Sequence, residues 1–110
     1  LYTALADIGP STLTYTTVNE VVGTGYTAGG MALTISQVPT SDATNQTAYV
    51  SFNNAVWTPA SFTARGALIY NSTTNAAVAV LDFGSDKTAT NSFTVTFPTA
   101  TSTTAIIRIA

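Results

Sequence analysis

Few side chains in this 110-residue chain could carry out catalysis. It has no His and no Cys, which excludes disulfides, thiolate metal sites, cysteine nucleophiles and Ser-His-Asp chemistry. Five carboxylates and three cations remain. Glycosidase-type acid–base chemistry needs two carboxylates on facing sites. Four of the five instead lie in turn-like contexts, which predicts solvated side chains and no catalytic pair: Asp7, Glu20, Asp42 and Asp86.

Asp82 is the exception, because it lies in a strand-like run, residues 76–83, that is apolar on both faces. A carboxylate in such a strand needs a partner, and Arg65 and Arg108 are the only cations on predicted strands. We predict that Asp82 is buried or half-buried and bonded to Arg65, Arg108 or backbone N–H groups. A structural ion pair is favoured over a catalytic acid, since no second carboxylate accompanies it.

The glycine-rich segment 23–30 matches G-x-G-x-x-A over residues 23–28, the fingerprint of dinucleotide-binding folds. That chemistry needs a helix directly after the glycines, whose N-terminus holds the pyrophosphate. Here two more glycines and a strand-like pattern follow, which indicates a loop. No calcium-loop pattern surrounds Asp42 or Asp86. The sequence therefore predicts neither a cofactor nor a metal.

Two aromatic residues are candidates for an interaction surface. Tyr26 follows Gly25 in the glycine-rich loop, where it either makes an exposed contact or folds back onto the sheet. Trp57 lies between predicted strands, just before Pro59. It is either a core residue, which we favour, or an exposed anchor for a neighbouring subunit.

The elements that must position these residues are strands. The chain contains 23 Thr and 9 Ser, and β-branched Thr suits the wet face of a pleated sheet. Apolar residues alternate in several segments; in residues 92–98, for example, Phe93, Val95 and Phe97 point inward and Thr94 and Thr96 outward. Turn signals separate eight or nine such short runs, two of them at residues 1–5 and 13–18. We predict one all-β domain, residues 1–110, folded as an antiparallel β-sandwich of jelly-roll type.

The charge balance limits the possible partners. Only 7% of the residues are charged and the net charge is −2, which argues against binding of nucleic acid or of an acidic membrane surface. No apolar run approaches the length of a transmembrane span. A charge-poor, Thr-rich surface gives little self-repulsion and suits packing against other copies of the chain.

Several segments together resemble a family of small structural proteins of tailed bacteriophages. They are residues 23–30 (GTGYTAGG), 63–71 (TARGALIYN), 77–84 (AVAVLDFG), 93–98 (FTVTFP) and 105–109 (AIIRI). The resemblance is one of overall pattern along most of the chain, and it carries over no catalytic residue. It implies a non-enzymatic virion component that contacts other virion proteins, oligomerises and decorates the capsid. The alternative is a neck- or tail-fibre-associated module that binds a carbohydrate or receptor.

Overall fold

The computed structural model describes residues 1–109. These residues form antiparallel β-structure without helices, so the all-β prediction is confirmed. The seven strands are β1 (Ile35–Asp42), β2 (Thr47–Phe52), β3 (Ala55–Trp57), β4 (Phe62–Tyr70), β5 (Ala77–Ala89), β6 (Phe93–Val95) and β7 (Ile107–Ile109). They pair into small sheets of order β1-β2-β7, β3-β6 and β4-β5. No helix within residues 1–109 is long and apolar enough to cross a membrane.

The count of seven strands within the described residues is lower than the eight or nine predicted. Residues 1–5 and 13–18 were both expected to be strands, but they make only isolated bridges. Tyr2 bridges to Glu20 and Gly66, and Thr14 bridges to Ala76. Both segments have strand-like compositions, but no neighbouring strand runs beside them over more than one residue pair.

The chain divides into two compact units. The first comprises Leu1–Gly30 and Trp57–Phe93 and contains the β4–β5 hairpin. Strand β5 extends to Ala89, beyond the strand-like run of residues 76–83, because residues 87–89 pair with 62–64 of β4. The core of this unit is largely aromatic, with ring centroids 5.2–6.2 Å apart. Its rings are those of Tyr26, Trp57, Phe62, Phe83 and Phe93.

The second unit comprises Met31–Val56 and Thr94–Ala110, of which the structure describes all but the last residue. Strand β2 is central in its sheet, with β1 and β7 on either side. Phe52 and Phe97 meet edge to face with their centroids 5.8 Å apart. Val95 is buried while Thr94 and Thr96 are exposed, so the register predicted for this segment is confirmed.

Candidate functional site

A buried carboxylate, Glu20, organises the first unit, although its sequence context predicted a solvated side chain. Only 8% of the residue is exposed. Glu20 Oε2 accepts a hydrogen bond from the Tyr15 hydroxyl at 2.7 Å. Glu20 Oε1 accepts one from the Tyr26 hydroxyl at 2.7 Å and one from the Gly29 N–H at 2.8 Å. The prediction for Glu20 was wrong, because three donors from other segments replace the water that it would otherwise bind.

The donors around Glu20 are held by contacts of their own. Tyr15 stacks on Tyr70 with ring centroids 4.6 Å apart. The Tyr70 hydroxyl donates to the Gly29 carbonyl at 2.8 Å, and the Leu1 amino group donates to the Tyr26 hydroxyl at 2.7 Å. We call Glu20, Tyr15, Tyr26, Gly29 and Tyr70 the Glu20 cluster. It fixes the glycine-rich loop against β4.

The electrostatics of the cluster favour a charged Glu20. Burial raises the pKa of Glu20, but the hydrogen bonds from Tyr15, Tyr26 and Gly29 outweigh it, so the net pKa lies below its ordinary value. Burial and the bond to Glu20 raise the pKa of both tyrosine hydroxyls, which therefore stay protonated donors. Burial also lowers the pKa of the Leu1 amino group to about 6, against an opposing effect of the Glu20 charge.

Chemically, the cluster is suited to holding structure together. Both carboxylate oxygens of Glu20 accept bonds from protein donors, and a general base needs an oxygen that can reach a substrate proton. The available sequence signal was that Glu20 interrupts the apolar run Val18, Val21 and Val22. Nothing in the linear sequence reveals that the two tyrosines converge on it.

The predicted interaction surface at Tyr26, Gly25 and Trp57 is only partly exposed. Tyr26 is half-buried and Trp57 is 9% exposed, so the core interpretation of Trp57 holds and Tyr26 folds back. Both belong to the aromatic core. Gly25 is exposed and has a φ of +86°, and a Cβ there would lie 1.8 Å from the Pro59 carbonyl oxygen. Glycine is required at this position by close packing.

Asp82 pairs with Arg65 across the β4–β5 hairpin, and it also accepts the Gly84 N–H at 2.8 Å. The Gly84 N–H and the Arg65 guanidinium lower the pKa of Asp82. The expected burial was wrong, since 74% of the side chain is exposed. Asp82 lies opposite Gly66 in the ladder, and a residue without a side chain leaves it uncovered. Arg108 is not its partner; it donates to the Thr103 carbonyl.

Two shallow cavities of the first unit adjoin this ion pair. One of about 230 Å³ lies between residues 2–8 and the strands at Arg65 and Asp82. The other, of about 460 Å³, lies between residues 8–12 and residues 77–82 of β5. Their linings share Ile8, Val80 and Asp82. Within residues 1–109, no group of three or more Asp and Glu side chains is placed to hold a metal ion.

Large aliphatic side chains are unusually exposed in the N-terminal segment of the first unit. Leu5 and Leu13 are each 79% exposed, Val18 is 66% exposed and Val22 is 94% exposed. The Asn19 side chain, next to Val18 in the sequence, donates to the Leu5 carbonyl at 2.9 Å. The surface formed by residues 5–22 therefore includes large apolar side chains as well as polar ones.

Comparison with known proteins identifies no relative: no family model, no curated protein and no solved structure matches the chain.

Proposed function

We propose that this chain is a non-enzymatic structural protein of a tailed-phage virion, with capsid decoration as its role. In this proposal it acts through its surface, as several copies that contact one another and other virion proteins. It uses no cofactor and binds neither nucleic acid nor membrane. The arrangement of its small sheets as a single β-sandwich domain of jelly-roll type is part of the same proposal.

The observation that carries the proposal is the exposed aliphatic surface of residues 5–22. Four large side chains there are 66–94% exposed, and exposed apolar patches mark sites of protein contact. Asp7 is the one exposed charged residue in this stretch, because Glu20 is buried. A partner would therefore cover apolar groups at little cost of charge desolvation.

A carbohydrate- or receptor-binding module is the less favoured alternative. Such sites stack sugars on exposed aromatic rings beside a cleft. Every aromatic side chain within residues 1–109 is buried or half-buried, including Tyr26 and Trp57. The shallow cavities beside the Arg65–Asp82 pair are lined largely by small aliphatic and hydroxyl side chains.

Purified particles of the phage that encodes the chain provide the test. We expect mass spectrometry to detect the protein in many copies per virion, and cryo-electron microscopy to place it on the outer capsid surface. Absence from purified virions, or turnover of a substrate by the isolated protein, overturns the proposal. A position on the tail or neck overturns only the capsid role. Specific glycan binding by a monomer favours the alternative.

A further inference from the structure

Two tyrosines of the first unit, Tyr15 and Tyr70, form a stacked pair. Their ring centroids lie 4.6 Å apart and the ring planes are inclined by only 17°. The backbone brings the two rings together. The Tyr15 N–H donates to the Asn75 carbonyl at 2.9 Å, and the Leu13 carbonyl accepts the Ala77 N–H at 2.8 Å. Because Ala77 pairs with Tyr70 in the β4–β5 ladder, Tyr15 is held beside the end of β4.

No other two tyrosine rings stack on each other within residues 1–109. Tyr2 is only 2% exposed, Tyr26 packs against tryptophan and phenylalanine rings, and Tyr49 belongs to the second unit. The rings of Tyr15 and Tyr70, in contrast, are both half-buried. A small oxidant in solution can therefore reach both members of the stacked pair.

Glu20 provides the Tyr15 hydroxyl with a proton acceptor. Its Oε2 atom accepts that hydroxyl at 2.7 Å, and the carboxylate is ionised at neutral pH because its pKa lies below the ordinary value. A phenol releases its proton when it loses an electron, so a positioned carboxylate favours the oxidation of Tyr15. The Tyr70 hydroxyl donates to the Gly29 carbonyl at 2.8 Å, and its half-buried side chain releases its proton to water.

We propose that Tyr15 and Tyr70 are a site of oxidative modification, at which an intramolecular dityrosine cross-link forms. The co-reactant is a one-electron oxidant, such as a peroxide-derived radical, and two equivalents of it are reduced. Each tyrosine loses one electron to the oxidant and its phenolic proton to Glu20 or water. The two phenoxyl radicals then form one carbon–carbon bond between ring carbons adjacent to the carbons that carry oxygen. The hydrogen on each bonded carbon moves to that oxygen, which restores both hydroxyl groups.

The stacked arrangement favours coupling within one chain over coupling between chains. Reacting groups that are held in contact behave as if present at very high concentration, whereas two chains must first meet in solution. The rings need only slide over one another to bring the coupling carbons together. The cross-link fastens residues 13–15 to the end of β4, and a covalent link between distant parts of a chain stabilises the fold by restricting the unfolded state. This inference goes beyond the proposed function and does not depend on it.

Oxidation of the purified protein by a photoactivated ruthenium complex with persulfate tests the cross-link. We expect dityrosine fluorescence, a monomer lighter by the mass of two hydrogen atoms, and a proteolytic fragment that joins the peptides of Tyr15 and Tyr70. Tyr15→Phe and Tyr70→Phe keep a ring in the stack but lack the hydroxyl, and we expect each to lower the yield about tenfold, since the remaining tyrosine has no partner in contact. The matched control is Tyr49→Phe, which should leave the yield unchanged.

The dependence on the fold is tested with wild-type protein in urea. Unfolding separates the two rings, so we expect the same oxidant to give about tenfold less of the intramolecular link. Circular dichroism checks that each variant folds, and the fragment map of the wild type does not depend on the variants. An oxidised wild type that lacks the fragment joining Tyr15 to Tyr70 overturns the inference. So does an unchanged yield in Tyr15→Phe, or cross-linking only between chains. Absence of the protein from virions overturns the proposed function and leaves the cross-link standing.

Discussion

The environments of Glu20 and Asp82 are the reverse of those that their sequence contexts predict. Glu20 follows turn-like residues yet is buried with three donors, whereas Asp82 lies in an apolar strand yet is 74% exposed. The difference comes from the residues that lie next to each carboxylate. Tyrosines from distant segments converge on Glu20, and a glycine lies across from Asp82. The environment of a carboxylate therefore depends on its neighbours in space.

The largest expected effect is that of Glu20→Ala. It leaves the Tyr15 hydroxyl, the Tyr26 hydroxyl and the Gly29 N–H without their acceptor, and we expect the free energy of unfolding to fall by about 4 kcal/mol, from three bonds to a charged group. Urea denaturation followed by circular dichroism measures it. Glu20→Gln is the control, because it keeps the shape and one carbonyl acceptor, and it should lose less. Equal stability of Glu20→Ala and the wild type would contradict the structural role of the cluster.

The next effect is that of Tyr26→Phe. The substitution keeps the ring in the aromatic core but removes the bond to Glu20 and the acceptor of the Leu1 amino group, so we expect a loss of about 1.5–2 kcal/mol in the free energy of unfolding. Tyr49→Phe, at a half-buried tyrosine of β2, is the matched control and should be less destabilising. If both variants lose the same free energy of unfolding, the hydrogen bond between Tyr26 and Glu20 makes no measurable contribution to stability.

Acid should reduce the contribution of Glu20. Its pKa in the folded protein lies below the ordinary value of 4.5, so its ionised form stabilises the fold above that pH, and this stability is lost as the pH falls through the folded pKa. The amino group of Leu1 and the hydroxyls of Tyr2, Tyr15 and Tyr26 face it and stay protonated over this range, because the pKa of the Leu1 amino group is about 6 and burial raises the pKa of the three hydroxyls. We expect the stability difference between wild type and Glu20→Gln to shrink below about pH 4.5. A constant difference down to pH 2 would mean that folding does not shift the pKa of Glu20.

Asp82→Ala should have the smallest effect. The carboxylate is exposed, and solvent-exposed ion pairs contribute little to stability. We expect the urea midpoint of unfolding to be unchanged within error, with Asp86→Ala as an exposed control. A clear loss confined to Asp82→Ala would show that its bonds to Arg65 and Gly84 stabilise the β4–β5 hairpin, and Asp82 would then resemble Glu20.

Much of the fold could be predicted from local pattern. Alternation of apolar and Thr residues placed Phe93 and Val95 inside, since a strand has only two faces and one must face the core. The loop at residues 23–30 was evident from its glycines. What could not be predicted depends on long-range pairing: no local feature shows that Tyr15 and Tyr26 meet at Glu20. For the same reason the segments at residues 1–5 and 13–18 have strand-like compositions but form only bridges.

Trp57 gives the protein a built-in optical reporter. It is the only tryptophan, and its ring lies 6.1 Å from that of Tyr26 and 6.2 Å from that of Phe93. A buried indole in such surroundings emits at shorter wavelength than one in water, and the adjacent tyrosine can transfer excitation to it. Fluorescence excited at the tryptophan band therefore reports on the aromatic core around Trp57, while circular dichroism reports on every strand. Comparing the two signals during unfolding would reveal whether both units lose structure in a single step.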